Sequence, residues 1–154
     1  ELAQKNDLHI IEDSAQSFGA SYKGKPAGSF GIMNCFSLNP MKVLAAVGDA
    51  GCITTNSEDL TERIRTLRYC GMVGKIESHF VSLNHKIDTI QAAILNVKLK
   101  KVNNVILRRR QIAAIYNREL KGIVQSPCMK DSDEDVFYGY TLLVENREQF
   151  IQFM

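Results

Sequence analysis

Short apolar runs along this chain alternate with amphipathic stretches of helical period. Strands are predicted at four such runs, residues 8–11, 33–38, 52–55 and 136–144. Helices are predicted where apolar residues recur at helical spacing, over residues 1–6, 57–70, 88–120 and 147–154. The first apolar run is followed by Glu12 and Asp13, which is typical of a buried parallel strand that ends in polar side chains. The order of strands and helices indicates an α/β fold.

Glycine, proline and capping residues refine this outline. Gly24 stands between two lysines and predicts a tight hairpin turn, and Pro26 suits an edge strand. Asn56 or Ser57 is expected to cap the helix that Gly71 ends.

The longest helical pattern, residues 88–120, follows a stretch at residues 72–86 that we expect to be an irregular loop. A helix of this length is unusual within one globular domain, so we expect it to bridge two, with the boundary near residue 107. The first residues enter a strand almost at once, and the last ones stop inside a helical pattern. We therefore expect the 154 residues to be a fragment that is inactive by itself.

Composition and charge exclude several classes of protein. The chain is 45% hydrophobic and 23% charged, as in globular proteins, and its net charge of +2 is too small to indicate a nucleic-acid partner. No run approaches the roughly 20 apolar residues of a membrane span. The arginines at residues 108–110 could bind phosphate or form a solvated helix face. Neither the histidines nor the cysteines have metal-ligand spacing. We expect the four cysteines to be free thiols in a reducing cytosol: Cys35, Cys52, Cys70 and Cys128.

Four polar residues stand where a site could form. Lys42 follows a strand and an asparagine–proline turn, and a loop lysine with an unprotonated amine can form an imine with a carbonyl compound. Asp13 follows the first apolar run, where a carboxylate could keep a ring nitrogen protonated. Ser37 and Asn84 could donate hydrogen bonds to a phosphate. Taken singly, each has a simpler interpretation: a solvated lysine, a turn cap, a strand-end hydroxyl and a turn-forming asparagine.

Four short segments occur in an informative order. Residues 12–20 read Glu-Asp-Ser-Ala-Gln-Ser-Phe-Gly-Ala, and residues 36–42 read Phe-Ser-Leu-Asn-Pro-Met-Lys. A Gly-Asp-Ala-Gly turn follows at residues 48–51, and residues 84–93 begin with Asn-His-Lys and end with Gln-Ala-Ala. In this order they resemble the EDxAQxxGA, FSxxxxK, GDGG-like and NxRMxxxQAA motifs of the DegT/DnrJ/EryC1/StrS family of sugar aminotransferases. Ala50 replaces a glycine of that pattern, and Lys86 replaces its arginine.

The resemblance implies a role for each matching residue. Lys42 would form a Schiff base with pyridoxal 5'-phosphate (PLP) and move protons. Asp13 would pair with the pyridine nitrogen, and Gln16 would contact the cofactor ring or its phenolic oxygen. Ser37 would bind the cofactor phosphate. Asn84 would reach the phosphate in the neighbouring subunit of a homodimer.

The resemblance also implies an architecture and an activity. The fold would be the PLP-dependent transferase fold type I, which is aspartate-aminotransferase-like. Residues 1–107 would form the C-terminal half of the large PLP-binding domain, and residues 108–154 a linker helix and the beginning of the small C-terminal domain. The protein would transfer an amino group, expected to come from glutamate, to a nucleotide-linked keto sugar.

Two alternatives remain open. One is a PLP-dependent sugar dehydratase on the same fold, although known dehydratases of the family carry histidine at the lysine position. The other is a non-catalytic fragment that serves dimerisation or regulation. No metal, nucleic-acid or membrane partner is expected.

Overall fold

A computed structural model of the chain describes residues 1–74, 76–127 and 133–154. Its helices are α1 (Leu2–Lys5), α2 (Glu58–Arg68), α3 (Thr89–Leu99), α4 (Val102–Glu119) and α5 (Arg147–Phe153). Its strands are β1 (Ile11–Asp13), β2 (Ser21–Tyr22), β3 (Lys25–Pro26), β4 (Met33–Ser37), β5 (Gly51–Thr54), β6 (Met72–Val73), β7 (Glu77–Ser78) and β8 (Asp133–Glu134). Within these ranges, no helix is long and apolar enough to cross a membrane, and no cluster of histidine, cysteine and carboxylate side chains could hold a metal ion.

The central sheet has the strand order β1–β4–β5. Strands β1 and β4 are parallel, with Asp13 opposite Cys35, and β5 runs antiparallel to β4. Successive side chains of a strand point to opposite faces, and paired residues share a face. Asp13, Cys35 and Ser37 therefore lie on one face of the sheet. Phe36 and its partner Cys52 lie on the other face, where Cys52 packs against the buried core.

The hydrophobic core joins the segment after β4 to α3 and α4. Its buried members are Leu38, Val43, Leu44, Ala46, Leu95, Val102, Ile106 and Val136. Phe18 packs on this cluster and meets Phe36 edge to face, with ring centroids 5.1 Å apart. The loop between Leu38 and Val43, which carries Lys42, is thus anchored on both sides by buried side chains.

Several predicted local features are confirmed. Lys23 and Gly24 both have positive φ, 49° and 75°, which gives the tight hairpin between β2 and β3. Pro26 lies in β3 at the edge of its sheet. The Ser57 hydroxyl caps α2 by accepting a hydrogen bond from the Leu60 amide at 3.3 Å. The free-thiol prediction is confirmed for the three described cysteines, Cys35, Cys52 and Cys70. Cys128 lies outside the described residues.

Two predicted elements have different bounds in the structure. The first strand spans residues 11–13 instead of 8–11, because its pairing with β4 begins at Ile11 and Met33. The predicted helix over residues 88–120 is two helices. They are separated by a tighter turn, in which the backbone amide of Lys101 donates to the carbonyl of Lys98. The predicted domain boundary near residue 107 falls inside α4 and stays a prediction.

Two further predictions are wrong. Residues 72–86 contain the β6–β7 hairpin rather than only irregular loop. The predicted strand at residues 136–144 is absent, and at its start Asp135 Oδ1 accepts the Val136 and Phe137 amides at 2.6 and 3.0 Å. Phe137 also has φ 48°, which is incompatible with an extended strand.

Candidate active site

Lys42 lies in a tight loop whose ends are fixed by hydrogen bonds. An asparagine–proline turn closes with the Lys42 amide donating to the Asn39 carbonyl at 2.9 Å. The Asn39 side chain accepts from the Met41 amide at 3.0 Å. Asparagine followed by proline at the first two turn positions favours this geometry. The Ala46 amide donates to the Leu38 carbonyl at 2.8 Å, so the chain returns to the end of β4.

Helix α3 supports the segment that follows Lys42. Gln91 Oε1 accepts a hydrogen bond from the Val47 amide at 2.9 Å. Lys98 Nζ donates to the Ala45 carbonyl at 2.7 Å. Residues seven apart lie on the same face of a helix, so both side chains reach the same stretch of backbone. The position of the Lys42 loop is therefore coupled to α3 as well as to the core.

Asp13 and Ser37 lie at the carboxyl ends of neighbouring parallel strands. Asp13 is opposite Cys35, and Ser37 lies two residues further along β4 on the same face. Asp13 Oδ1 accepts a hydrogen bond from the Ala15 amide at 3.1 Å. Because the loop that carries Lys42 directly follows β4, all three residues lie at or just beyond the carboxyl ends of these two strands.

Gln16 and Asn84 occupy different positions relative to this edge. Gln16 is exposed in the turn directly after β1. Asn84 is also exposed and forms an isolated antiparallel bridge with Tyr69, just beyond α2. Its Oδ1 accepts from the Lys86 amide at 3.2 Å, and Lys86 Nζ lies 5.2 Å from the Tyr69 ring centroid. The described contacts of Asn84 are thus with its own neighbourhood rather than with the Lys42 loop.

Glu12 organises the loop next to the site. Its carboxylate accepts from the amides of Gly28, Phe30 and Gly31 at 2.8, 2.5 and 2.7 Å. Burial raises the pKa of Glu12, but these three hydrogen bonds and the charge of Lys25 outweigh it, so the pKa is lowered. The loop at residues 28–31 is therefore fastened to β1 beside Asp13.

The side chains at the sheet edge fit pyridoxal phosphate. They provide an amine for an aldehyde, a carboxylate for a protonated ring nitrogen and a hydroxyl for a phosphate. Asp13 is exposed and Lys42 is half-buried, so a ligand could reach both. The Ser37 hydroxyl faces the Asn39 amide at the long distance of 3.5 Å, which leaves it free to donate to an anion.

Comparison with known proteins gives the family. The sequence profile of the DegT/DnrJ/EryC1/StrS aminotransferase family matches residues 1–154. The chain belongs to this family. The resemblance drawn from the four sequence segments is therefore confirmed.

Solved structures of DegT/DnrJ/EryC1/StrS proteins have the same fold. A family aminotransferase from Brucella abortus is 32% identical, with a TM-score of 0.92 over 96% of this chain and 40% of that one. DesV of S. venezuelae, solved in complex with a ketimine intermediate, is 33% identical, with a TM-score of 0.92 and the same coverage of 96% and 40%. The predicted fold type I architecture is confirmed, and the chain forms a partial α/β domain of it.

Curated relatives carry names of two kinds. The UDP-2-acetamido-2-deoxy-3-oxo-D-glucuronate aminotransferase of Pseudomonas aeruginosa is 38% identical over 96% of this chain and 41% of its own length. The dTDP-3-amino-3,6-dideoxy-alpha-D-galactopyranose transaminase of Aneurinibacillus thermoaerophilus is 40% identical over 97% and 41%. A protein of Geobacillus stearothermophilus named as a pleiotropic regulatory protein is 36% identical over 99% and 42%. The chain thus spans about two fifths of the relatives it matches.

Sequence reasoning missed three residues around Lys42. Gln91 lies in a matched motif, but its acceptor role towards Val47 has no separate signal in the sequence. No signal in the sequence pointed to Lys98 or Tyr138. Tyr138 reaches Lys42 from a segment predicted to be a strand, and its ring centroid is 4.3 Å from Lys42 Nζ.

The arginine run at residues 108–110 divides in the structure: Arg108 is exposed, as expected for a solvated helix face, whereas Arg109 and Arg110 bond to the segment after β8. Arg109 Nη1 donates to the Phe137 and Tyr138 carbonyls at 3.0 and 3.5 Å. Arg110 Nε donates to the Asp135 carbonyl at 2.9 Å. These side chains tie α4 to the segment that carries Tyr138.

Proposed function

We propose that the whole protein is a PLP-dependent aminotransferase that transfers an amino group, with glutamate as donor, to a nucleotide-linked keto sugar. The observation that carries the proposal is the placement of Asp13, Ser37 and Lys42 at one edge of the sheet. The parallel pairing of β1 with β4 brings the ends of these two strands side by side, and the loop with Lys42 follows β4. The names of relatives from Pseudomonas and Aneurinibacillus support the substrate class, since both are aminotransferases of nucleotide-linked sugars.

PLP would supply an electron sink that stabilises negative charge on the substrate carbon. In the proposal, Lys42 would hold the cofactor covalently, and its amine would move a proton. Asp13 keeps the ring nitrogen protonated, because a paired carboxylate favours the charged form. Gln16 orients the ring, and Ser37 donates to the phosphate.

The proposal includes a homodimer in which Asn84 reaches the phosphate bound by the neighbouring subunit. Asn84 follows a segment that carries exposed apolar side chains. Ile76, Val81 and Leu83 expose 84%, 106% and 71% of their surface. Exposed apolar surface of this kind is typical of protein–protein interfaces when it forms one patch. We further propose that the enzyme acts in the cytosol, where its cysteines stay reduced.

Two rival functions can be distinguished from the proposed one by experiment. A sugar dehydratase would use the same fold, but its family members carry histidine where this chain has Lys42. A regulatory role has the name of the Geobacillus relative in its favour. Amino transfer by the purified protein distinguishes the enzyme from both.

The test is amino transfer by the whole protein and its Lys42→Ala variant, measured with glutamate and a nucleotide-linked keto sugar by chromatography of the amino sugar. We expect Lys42→Ala to lose all measurable turnover and the visible absorbance of lysine-bound PLP. Lys101→Ala, which removes an exposed lysine between α3 and α4, is the matched control and should keep both. Retention of the absorbance by Lys42→Ala would refute the role of Lys42.

A further inference from the structure

The amine of Lys42 meets an aromatic ring from a distant part of the chain. Lys42 Nζ lies 4.3 Å from the ring centroid of Tyr138. This distance is within the roughly 6 Å reach of a cation–π interaction. The lysine–aromatic contacts of Lys23 and Lys25 are with Tyr22 and Phe30, close to them in sequence. The Lys42 contact instead joins the loop after β4 to the segment after β8.

The backbone that carries Tyr138 has an uncommon conformation. The preceding residue, Phe137, has φ 48° and is buried. A bulky residue in the left-handed region is strained and keeps that conformation only when its surroundings impose it. Here Asp135 Oδ1 accepts the Val136 and Phe137 amides, and Arg109 Nη1 donates to the Phe137 carbonyl at 3.0 Å.

The two partners are anchored in the same core. Val136, two residues before Tyr138, has 0% exposure. It belongs to the cluster that also contains Val43, the residue after Lys42, and Ile106 of α4. Arg109 lies on α4 less than one turn after Ile106. The ring and the amine are thus held against each other by a common packed unit rather than by a mobile surface contact.

We propose that Tyr138 is a positioning residue for Lys42: its ring holds the lysine amine at the sheet edge whenever the amine is not attached to the cofactor. This inference rests on the proposed function, in which Lys42 must repeatedly leave and regain PLP. A held amine samples fewer rotamers and so stays oriented toward the cofactor. The contact with Lys42 is made by the ring of Tyr138, so the Tyr138→Phe variant should keep this contact.

The experiment measures Lys42 directly in the whole protein freed of cofactor. Lysines are labelled competitively with acetic anhydride, and the acetylation of Lys42 relative to Lys101 is read by mass spectrometry. Tyr138→Leu should raise the relative labelling of Lys42 by about twofold to fivefold, the range expected for losing an exposed cation–π contact. Tyr138→Phe should remain at the wild-type level. Thermal melting followed by circular dichroism checks that each variant is folded.

A second pair of variants tests how Tyr138 is held. Arg109→Met removes the donor to the Phe137 and Tyr138 carbonyls and should change Lys42 labelling in the same direction as Tyr138→Leu. Arg108→Met, the matched control, removes a bond to Gln111 of the same helix and should leave Lys42 labelling at the wild-type level.

The same variants are then given PLP, and the lysine adduct is trapped with borohydride at successive times. Tyr138→Leu should form the Lys42 adduct more slowly than wild type despite its higher labelling, because the released amine is no longer oriented. Equal Lys42 labelling in wild type and Tyr138→Leu would overturn the inference, as would equal effects of the leucine and phenylalanine variants. If wild type forms no PLP adduct while the labelling pattern holds, the proposed function fails and the positioning contact stands.

Discussion

Asp13 and Lys42 act on opposite ends of the same cofactor in the proposed mechanism, so their loss should have different signatures. Asp13→Asn keeps an oxygen for the Ala15 amide, which bonds to Oδ1 at 3.1 Å, but removes the negative charge. We expect kcat to fall by on the order of 10²-fold, the usual cost of losing one electrostatic partner. Borohydride should still trap PLP on Lys42.

Steady-state kinetics of the whole protein check this prediction. Asp59→Asn, an exposed carboxylate in the first turn of α2, is the control and should leave kcat unchanged. An Asp13→Asn variant with wild-type kcat would show that the Asp13 carboxylate has no role in the reaction.

Glu12 holds the loop next to the site, and its contribution to the free energy of unfolding should depend on pH. Its two oxygens accept three amides, whereas glutamine offers one oxygen and places an NH₂ group against another donor. Glu12→Gln should lower the free energy of unfolding at neutral pH by about 1–3 kcal/mol.

The lowered pKa of Glu12 fixes the sign of the pH dependence. Its stabilisation is complete above the unfolded value of 4.5 and is lost as pH falls through the lower folded pKa. The difference between wild type and Glu12→Gln, measured by denaturant unfolding, should therefore shrink at acid pH. The Glu62→Gln control, on the exposed side of α2, should differ little from wild type at any pH. A stability difference between wild type and Glu12→Gln that grows as the pH falls would contradict this role of the Glu12 carboxylate.

At the scale of elements, the loop at residues 28–31 needs glycine for two separate reasons. Gly28 has φ 90°, and an added Cβ would lie 2.7 Å from Asn34 Nδ2 and Phe36 Cζ. Gly24 has φ 75° but open space around it. Gly24→Ala should thus cost only backbone strain, about 1 kcal/mol, while Gly28→Ala should cost about 2–4 kcal/mol because overpacking adds to it.

Denaturant unfolding of both variants measures the difference between strain alone and strain with overpacking. Equal losses of stability would mean that the space around Gly28 does not constrain the loop.

How far the sequence predicts an element depends on whether its cause is local. The turn at Asn39 and the cap at Ser57 are local, and the sequence predicted both positions. The break between α3 and α4 carries no glycine or proline that could have predicted it, and Leu95 and Val102 on its two sides both pack into the core. Tyr138 could not be predicted as a neighbour of Lys42, since the contact depends on Arg109 and a strained Phe137.

At the scale of the whole molecule, the exposed apolar residues before Asn84 should form the dimer interface. Val81 is fully exposed in the single chain, so Val81→Asp would place a charge in that interface without disturbing the described core. We expect the whole protein to shift from dimer to monomer in analytical ultracentrifugation, because burying an unpaired charge is costly.

Ile123→Asp, a similarly exposed isoleucine after α4, is the control and should remain dimeric. A Val81→Asp protein that stays dimeric at micromolar concentration would exclude this surface as the interface.

The central claim is that the amine at position 42 and the carboxylate at position 13 serve one cofactor at the edge of the sheet. The most direct measurement incubates the whole protein with PLP, reduces it with borohydride and maps the modified lysine by peptide mass spectrometry. The expected result is a single adduct on Lys42 in wild type and in Asp13→Asn. An adduct on another lysine, with Lys42 unmodified, would contradict the claim.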